Sequence, residues 1–497
     1  MNIRSEGSGV LEIAAHQGDV LFGVARRDIT PPVGIYGRWW PRATWDRVTG
    51  VHRPLTATAM VLRNPAGMAD EGDEEIIVAM DMCLLYATEQ EIMATEVRRR
   101  TGVAGQFMCT YSHTHSSPPT KLDQAGLPGG ELIRPYLDTI SEQVAAAVTE
   151  ARAAIQPATI AFGRAESKMG GNRDLWDPVS EQWVCGFNPD GAFDPTVLVG
   201  RVSGVDGTLL ATMVNYSCHP TTLAWQNSLI SPDYPGAMRE VVEAATGVPC
   251  IFLQGASGDT GPRDGFVGDT AVADRNGREL GYAALSALES IPAPRTRFRY
   301  QGPSISGTTL GLWDHEPFSD EDRIAAARWR VRRWTVPLAY RSDLPSVDQA
   351  YIDRERWTAE EAVQRAAGDE LQAADCRGKA EQANRLIDKL GLLPPGPDYP
   401  LPVMVMQTGD VFWVAVEDEH YNVLQRALRE SVPDVDVVVM TLMDGGRVAY
   451  LPTADTYGKG LYQETIAVLA PGSLERLIDE VSEQLMTWWS DQLVPAA

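Results

Sequence analysis

The stretch Phe107-Met108-Cys109-Thr110-Tyr111-Ser112-His113-Thr114-His115-Ser116 places two of the chain's seven histidines within three residues. Its apolar first half reads as a buried strand that stops where the histidines begin. In extended backbone, residues two apart point to the same side, so both imidazoles are expected to face one point at the strand's end. Strand ends are where open α/β sheets place their chemistry. The pattern recurs where the apolar run Leu209 to Val214 leads through Asn215-Tyr216-Ser217-Cys218 to His219-Pro220. Two strand-end histidines point to a metal, because neutral imidazole is a common zinc ligand. A lone histidine after a strand is more often a hydrogen-bonded core or surface residue, and plain polar loops also carry His-x-His, so the rest of the chain has to decide.

Working outward, short apolar runs alternate with amphipathic ones. Ala57-Leu62, Glu75-Met80, Gln106-Thr110, Thr159-Arg164, Leu209-Asn215 and Cys250-Gln254 are expected as strands. Helices are expected over Glu89-Thr101, Leu132-Ile155, Gly236-Thr246 and Thr270-Ile291. This alternation predicts an α/β protein with mixed β-sheets flanked by helices. The first 18 residues look like a loose leader. Between about 313 and 395 the composition turns charged and alanine-rich, in Arg323 to Trp334 and in Glu360 to Leu392, and predicts a helical insertion. Its role stays open between a solvated hairpin, a lid and a dimer contact. After the proline-rich link Leu393 to Pro400, strands are expected at Val403-Gln407, Val411-Val416 and Val435-Leu442, and a last helix over Ser473-Asp491.

At 497 residues the chain exceeds the usual single-core size, so one large or two modest domains are expected. A net charge of −24 argues against general affinity for nucleic acid or an anionic membrane surface, both of which would repel it. Met1 to Val20 lacks the basic-then-apolar pattern of a secretory signal, and no apolar run is long enough to span a bilayer. The six cysteines (Cys83, Cys109, Cys185, Cys218, Cys250, Cys376) are scattered, several of them in apolar strands, so a reduced cytoplasmic protein is the default expectation.

Three further segments carry polar residues at strand ends. Val411-Val416 runs into Glu417-Asp418-Glu419-His420, which suits a metal or a base but equally an acidic helix start. Phe252 to Pro262 is a strand followed by a glycine-rich turn carrying Asp259. It is no phosphate loop, since neither GKS nor GKT follows, and its glycines are expected to admit a substrate or a neighbouring loop. Gly445 to Thr453 leads to Tyr457 and Tyr462-Gln463-Glu464, whose aromatics could simply pack.

Taken in this order, the segments resemble the neutral/alkaline, non-lysosomal ceramidases, a family of zinc-dependent amidases. Gly23 to Pro32 is similar to that family's opening motif and Gly50-Val51-His52-Arg53-Pro54-Leu55 to its next. Ser112 to Ser116 matches its HTHSGP motif, with Ser117 in place of the glycine, and Asn215 to Pro220 matches the strand of its second zinc histidine. Glu419 stands where the family has Pro-Gly-Glu, and Ala449 to Thr453 with Tyr462 to Glu464 resembles its tyrosine motif. The resemblance covers about residues 21–312 and 403–464.

Position by position, it implies zinc (Zn2+) held by His113, His219, Glu419 and Tyr450. It implies His115 as a proton shuttle, Arg173 near the substrate and Tyr462 as a donor to the oxyanion. Asp259, Gly261, Arg263 and Tyr457 are expected to bind substrate. In the family's GDVSPN loop a serine becomes Gly261 and an asparagine becomes Arg263, and the Pro-Gly before the ligand becomes Glu417-Asp418. The expected protein is one ceramidase-like catalytic domain over 1–497, without the family's C-terminal β-sandwich. Its expected activity is zinc-dependent hydrolysis of an acyl-amide bond in a small molecule. An ester, lactone or carbamate hydrolase and a non-catalytic metal-containing binding protein are the rivals. No nucleic-acid partner and no stable membrane association are expected, and a homo-oligomer is left open.

Overall fold

Strict alternation of inward and outward side chains builds this molecule in four layers. The structure, a computed structural model, describes residues 2–5, 11–67, 71–103 and 106–493. Eight strands form the larger sheet: β1 (Gln17–Asp28), β2 (Thr56–Arg63), β3 (Glu74–Met80), β4 (Gln106–Tyr111), β5 (Gln156–Glu166), β6 (Thr196–Gly204), β7 (Leu209–Tyr216) and β8 (Cys250–Gln254). Their order is β8-β7-β6-β5-β1-β2-β3-β4. Four more, β9 (Trp329–Ala339), β10 (Asp398–Thr408), β11 (Val411–Val416) and β12 (Asp436–Met440), form a second sheet in that order.

On β3, Ile76, Val78 and Met80 face helices, while Ile77 and Ala79 face the second sheet. On β11 the same rule sends Val411, Trp413 and Ala415 inward and Phe412, Val414 and Val416 outward. Every strand residue of β3 and β11 is buried, as expected for sheets covered on both faces. Helices α1 (Ala87–Thr101), α2 (Ile133–Ala153), α3 (Tyr234–Thr246) and α4 (Thr270–Ser290) cover the larger sheet. Helices α7 (Val423–Ser431) and α8 (Ser473–Leu493) cover the smaller. The expected mixed sheets flanked by helices are therefore present.

Parallel pairing marks where chemistry gathers. It occurs at β3/β4, β7/β8 and β11/β12, in each case with one helix (α1, α3 or α7) as the crossover. The loop beyond β12 joins the two edges of the larger sheet: Thr441 N donates to Gln254 O at the end of β8, and Asp444 N donates to Cys109 O on β4. The carboxyl ends of all three units thereby meet.

Two expectations are corrected. The leader is structured where it is described: Leu11–Ala14 pairs with Asn2–Ser5 and with the strand Thr296–Ile305, and Gln17 opens β1; residues 1 and 6–10 lie outside the described residues. Within 313–395, only Asp320–Ala326, α5 (Val347–Ala366) and α6 (Glu370–Leu392) are helical. The Trp-Arg-Val-Arg-Arg-Trp run alternates with period two and joins the sheet as β9, because β10 offers it a full register from Trp329↔Thr408 to Ala339↔Asp398. Helices α5 and α6 thus interrupt a β-hairpin. Each is capped at its N-terminus, by Ser346 Oγ accepting from Gln349 N and by Asp369 Oδ1 accepting from Gln372 N.

Candidate metal centre

His113 follows β4, His219 follows β7 and Glu419 follows β11, one residue from each parallel unit. Their nitrogen and oxygen atoms lie within 4.8 Å of one another. The backbone is bent at His113 and just before Glu419 and Tyr450. His113 (φ 69°), Asp418 (φ 66°) and Ala449 (φ 68°) all occupy the left-handed region, which costs a non-glycine residue on the order of 1 kcal/mol and concentrates at functional sites. The extended-strand argument for His113 and His115 is therefore corrected: β4 ends at Tyr111, and the two rings approach to 5.1 Å through a turn rather than a pleat.

Hydrogen bonds decide which ring nitrogens are offered. His113 Nδ1 lies 2.7 Å from Cys83 O, and His219 Nδ1 lies 3.3 Å from Ser257 O. A carbonyl can only accept, so both Nδ1 atoms carry hydrogen and both Nε2 atoms are free. Those Nε2 atoms stand 3.3 and 3.6 Å from Glu419 Oε2. Glu419 Oε2 is buried and has no hydrogen-bond partner. A buried carboxylate oxygen with no donor facing two free imidazole nitrogens is the environment that a divalent cation satisfies. Cys83, His113 and His115 form a second candidate group, in which Cys83 Sγ lies 3.6 Å from the His113 nitrogen that already faces the Cys83 carbonyl. The first set fits better.

The charges agree with this placement. Burial opposes ionisation of Glu419, yet His113, the Tyr450 hydroxyl and Arg173 hold its carboxyl down to about 2. Burial, followed by Arg173 and the neighbouring His113 ring, pushes His219 well below the usual histidine range. His115 is lowered likewise, by burial first and His113 second. Against burial, Cys83 and Glu419 raise His113 well above that range, because the Glu419 carboxylate beside its Nε2 favours positive charge there, which is the charge a cation would supply.

Tyr450 pairs with Glu419 across a two-residue parallel bridge and stacks on His219 at 6.5 Å between ring centroids. Its hydroxyl accepts from Arg173 Nη2 at 3.0 Å, and Arg173 also donates to Gly258 O at 2.7 Å. Arg173 is thus buried behind Tyr450 and fixes it. His115 packs against Trp39 and Trp40 at 5.7 and 5.4 Å, and its Nε2 has no partner. Tyr462 lies 6.0 Å from the Tyr450 ring, and its side chain is open to the cavity.

Asp418, in the place of a family glycine, has a structural reason. Its carboxylate accepts from Val448 N and Ala449 N, both at 3.0 Å, and so ties the Glu419 turn to the Tyr450 turn. Asp418→Asn keeps an acceptor and the tolerance of left-handed backbone, whereas Asp418→Ala keeps neither. In denaturant titrations, Asp418→Ala should lose about 1–2 kcal/mol more stability than Asp418→Asn. Equal losses would remove this role from the carboxylate.

The centre lies in a cavity of about 980 Å3 whose walls include Trp39, Trp40, Tyr86, Trp225, Phe266 and Tyr462. Of the sequence-predicted residues, His113, His115, Arg173, His219, Glu419, Tyr450 and Tyr462 line it together. The four expected to bind substrate do not. Asp259 is buried and accepts from Asn422 N and Asn172 Nδ2. Gly261 pairs with Gly171 in a short bridge. Arg263 is at the surface beside Asp264 and Glu279. Tyr457 donates to Leu469 O, with Arg341 over its ring. The glycine-rich turn admits a neighbouring loop: a Cβ on Gly258 would stand 2.8 Å from the His420 carbonyl oxygen, to which Gly258 N donates.

Sequence reasoning missed the aromatic wall and the part played by α6. Arg385 and Lys389 of that helix line the cavity, so the hairpin roofs it. The Trp39-Trp40 pair, in a loop rich in glycine and proline, was the available signal.

No protein-family model matches the chain. It is 24% identical to the neutral ceramidase of Pseudomonas aeruginosa over 283 residues, which are 54% of this chain and 41% of the relative. It is 24% identical to neutral ceramidase A of Dictyostelium discoideum over 227 residues, 43% of this chain and 30% of the relative. The chain spans less than half the length of these two relatives. Neutral ceramidase B of the same organism is 20% identical across 100% of this chain and 74% of its own length. Among solved structures, the crystal structure of neutral ceramidase from Pseudomonas aeruginosa superposes with a TM-score of 0.63 at 16% identity, over 98% of this chain and 76% of that one. A ceramidase complexed with C2 gives 0.65 at 16% identity, over 97% and 76%. At this identity the structural likeness is one of fold.

Proposed function

We propose that this chain, a divergent neutral-ceramidase-like protein, is a zinc-dependent hydrolase that cleaves the amide bond of an acylated amine. The observation that carries the reading is the orphaned Glu419 Oε2 facing two free histidine Nε2 atoms at the base of a large aromatic-walled cavity. The relatives are named ceramidases, enzymes of an amide bond, which supports this bond type. His113, His219 and Glu419 would hold the ion, with Tyr450 beside them, and this nitrogen and oxygen donor set suits zinc. When bound, the ion supplies Lewis acidity toward the scissile carbonyl and the attacking water.

The remaining steps fall to this chain's own side chains. His115 has an unpartnered Nε2 within the cavity, where it can take a proton from water and return it to the leaving nitrogen. Tyr462 lines the same space, where its hydroxyl would serve as a donor to oxygen when negative charge develops there. Arg173 keeps Tyr450 in place. Trp39, Trp40, Trp225 and Phe266 give the acyl part an apolar surface and exclude water. Among the described residues no helix is long and apolar enough to cross a membrane.

The test is turnover of matched acyl-amides and acyl-esters by metal-loaded protein, with chelation and zinc add-back. Amides should be cleaved, activity should vanish on chelation and zinc should restore it. Ester cleavage alone would replace the amide reading with the ester one. No turnover at full metal occupancy would overturn both in favour of a binding protein.

A further inference from the structure

The roof of the cavity carries two cations without partners. Arg385 and Lys389 are one turn apart on α6 and so share a face of the helix. Neither makes a hydrogen bond or an ion pair among the described residues, and Arg385 Nε is buried without an acceptor. A buried N–H without an acceptor is unfavourable, and both side chains are otherwise only partly exposed. The other cations lining this cavity are all engaged: Lys121 with Asp123 and Asp388, Arg173 with Gly258 O and Tyr450, Arg447 with Glu417.

The nearby carboxylates are engaged as well. Glu381 faces Arg38, Asp388 faces Lys121, Glu89 accepts from Leu122 N, and Asp418 accepts from two backbone amides. Glu419 belongs to the metal set. Glu381 acts electrostatically on Arg385, and Asp418, Glu419 and Asp388 act on Lys389, but among the described residues none of them comes within ion-pair distance of either cation. Arg385 is nonetheless close enough to the centre to act electrostatically on Tyr462 and Tyr450.

We infer that Arg385 and Lys389 form a receptor for an anionic group on the substrate, so that this site takes acyl-amides bearing a carboxylate, such as N-acyl amino acids, in preference to neutral ones. The inference rests on the reading of the centre as an acyl-amide site. Its geometry is simple: the apolar wall takes the acyl chain, the centre faces the carbonyl, and the roof holds the carboxylate. Guanidinium binds a carboxylate through a planar fork, and Lys389 adds a second positive charge beside it.

The test measures binding without turnover. Decanesulfonylglycine and its neutral glycinamide carry a sulfonamide that a carbonyl hydrolase does not cleave, and both are titrated calorimetrically into the metal-containing protein. The carboxylate should bind on the order of 10- to 100-fold tighter than the glycinamide. Arg385→Gln should abolish most of that ratio, Arg385→Lys should keep part of it, and Lys389→Gln should reduce it. Should Arg385→Gln fail to fold, Lys389→Gln in parallel with Arg385→Lys decides the matter. Equal binding of the two ligands, or a preference that survives substitution at both positions, would overturn the inference and assign any anion binding to the metal or to Arg173. Because no bond is broken, failure here leaves the hydrolase reading standing, and absence of amide turnover elsewhere leaves this result standing.

Discussion

His219→Ala is expected to yield a folded protein that holds no stoichiometric metal and whose kcat/KM falls by on the order of 1,000-fold or more. The reason is the small number of donors. Glu419 Oε2 lies near two imidazole nitrogens and no hydrogen-bond donor, so removal of one ring leaves it a single strong co-ligand. Structural and catalytic zinc sites alike rest on at least three protein ligands. The fold should survive, because its stability rests on two packed sheets and their helices rather than on this ring. Elemental analysis of wild type and variant prepared side by side, with circular dichroism as the fold control, gives the answer. One ion per chain in both proteins would remove His219 from the ligand set, and none in the wild type would remove the metal centre altogether.

Tyr462→Phe should behave differently: metal retained, KM within a few-fold of wild type, kcat down by about 100- to 1,000-fold. The Tyr462 hydroxyl has no partner among the described residues, and burial raises its pKa, so it keeps its proton and can donate. A donor that meets its acceptor only when charge develops on oxygen affects kcat and leaves substrate affinity nearly unchanged. Steady-state kinetics on the amide that the protein turns over best would show this split. A raised KM with unaltered kcat would make Tyr462 a binding residue instead.

Much of the centre was legible because histidine is scarce here and strand ends are recognisable. Apolar runs such as Leu209 to Val214 mark buried strands by composition, and the polar residue that ends each run falls at the carboxyl edge of a sheet. What sequence could not show was where loops travel afterwards. Asp259 and Tyr457 sit close in sequence to cavity residues, yet their polar atoms are used by neighbouring backbone. Arg385 and Lys389 lie in a charged helical run whose bland reading is a solvated face. Only the folded hairpin shows that this face turns inward. Strand β9 was misread because charge and a preceding alanine run masked its period of two. Pairing with β10 overrode that local composition.

The gathering of one candidate ligand from each of three parallel units fixes when the centre can exist. Residues 113, 219 and 419 belong to segments made far apart in time as the chain is synthesised. The last of them is seated only after β11 has paired with β12 and the loop beyond has joined both edges of the larger sheet. Contacts so distant in sequence form late, after the local hairpins and crossovers. An ion taken up by this centre would therefore have no part in starting the fold and would arrive as a passenger on a finished frame. Its capture is a receipt for complete assembly, so a nascent or truncated chain lacking the 411–451 segment would be silent toward metal even with both histidines in place.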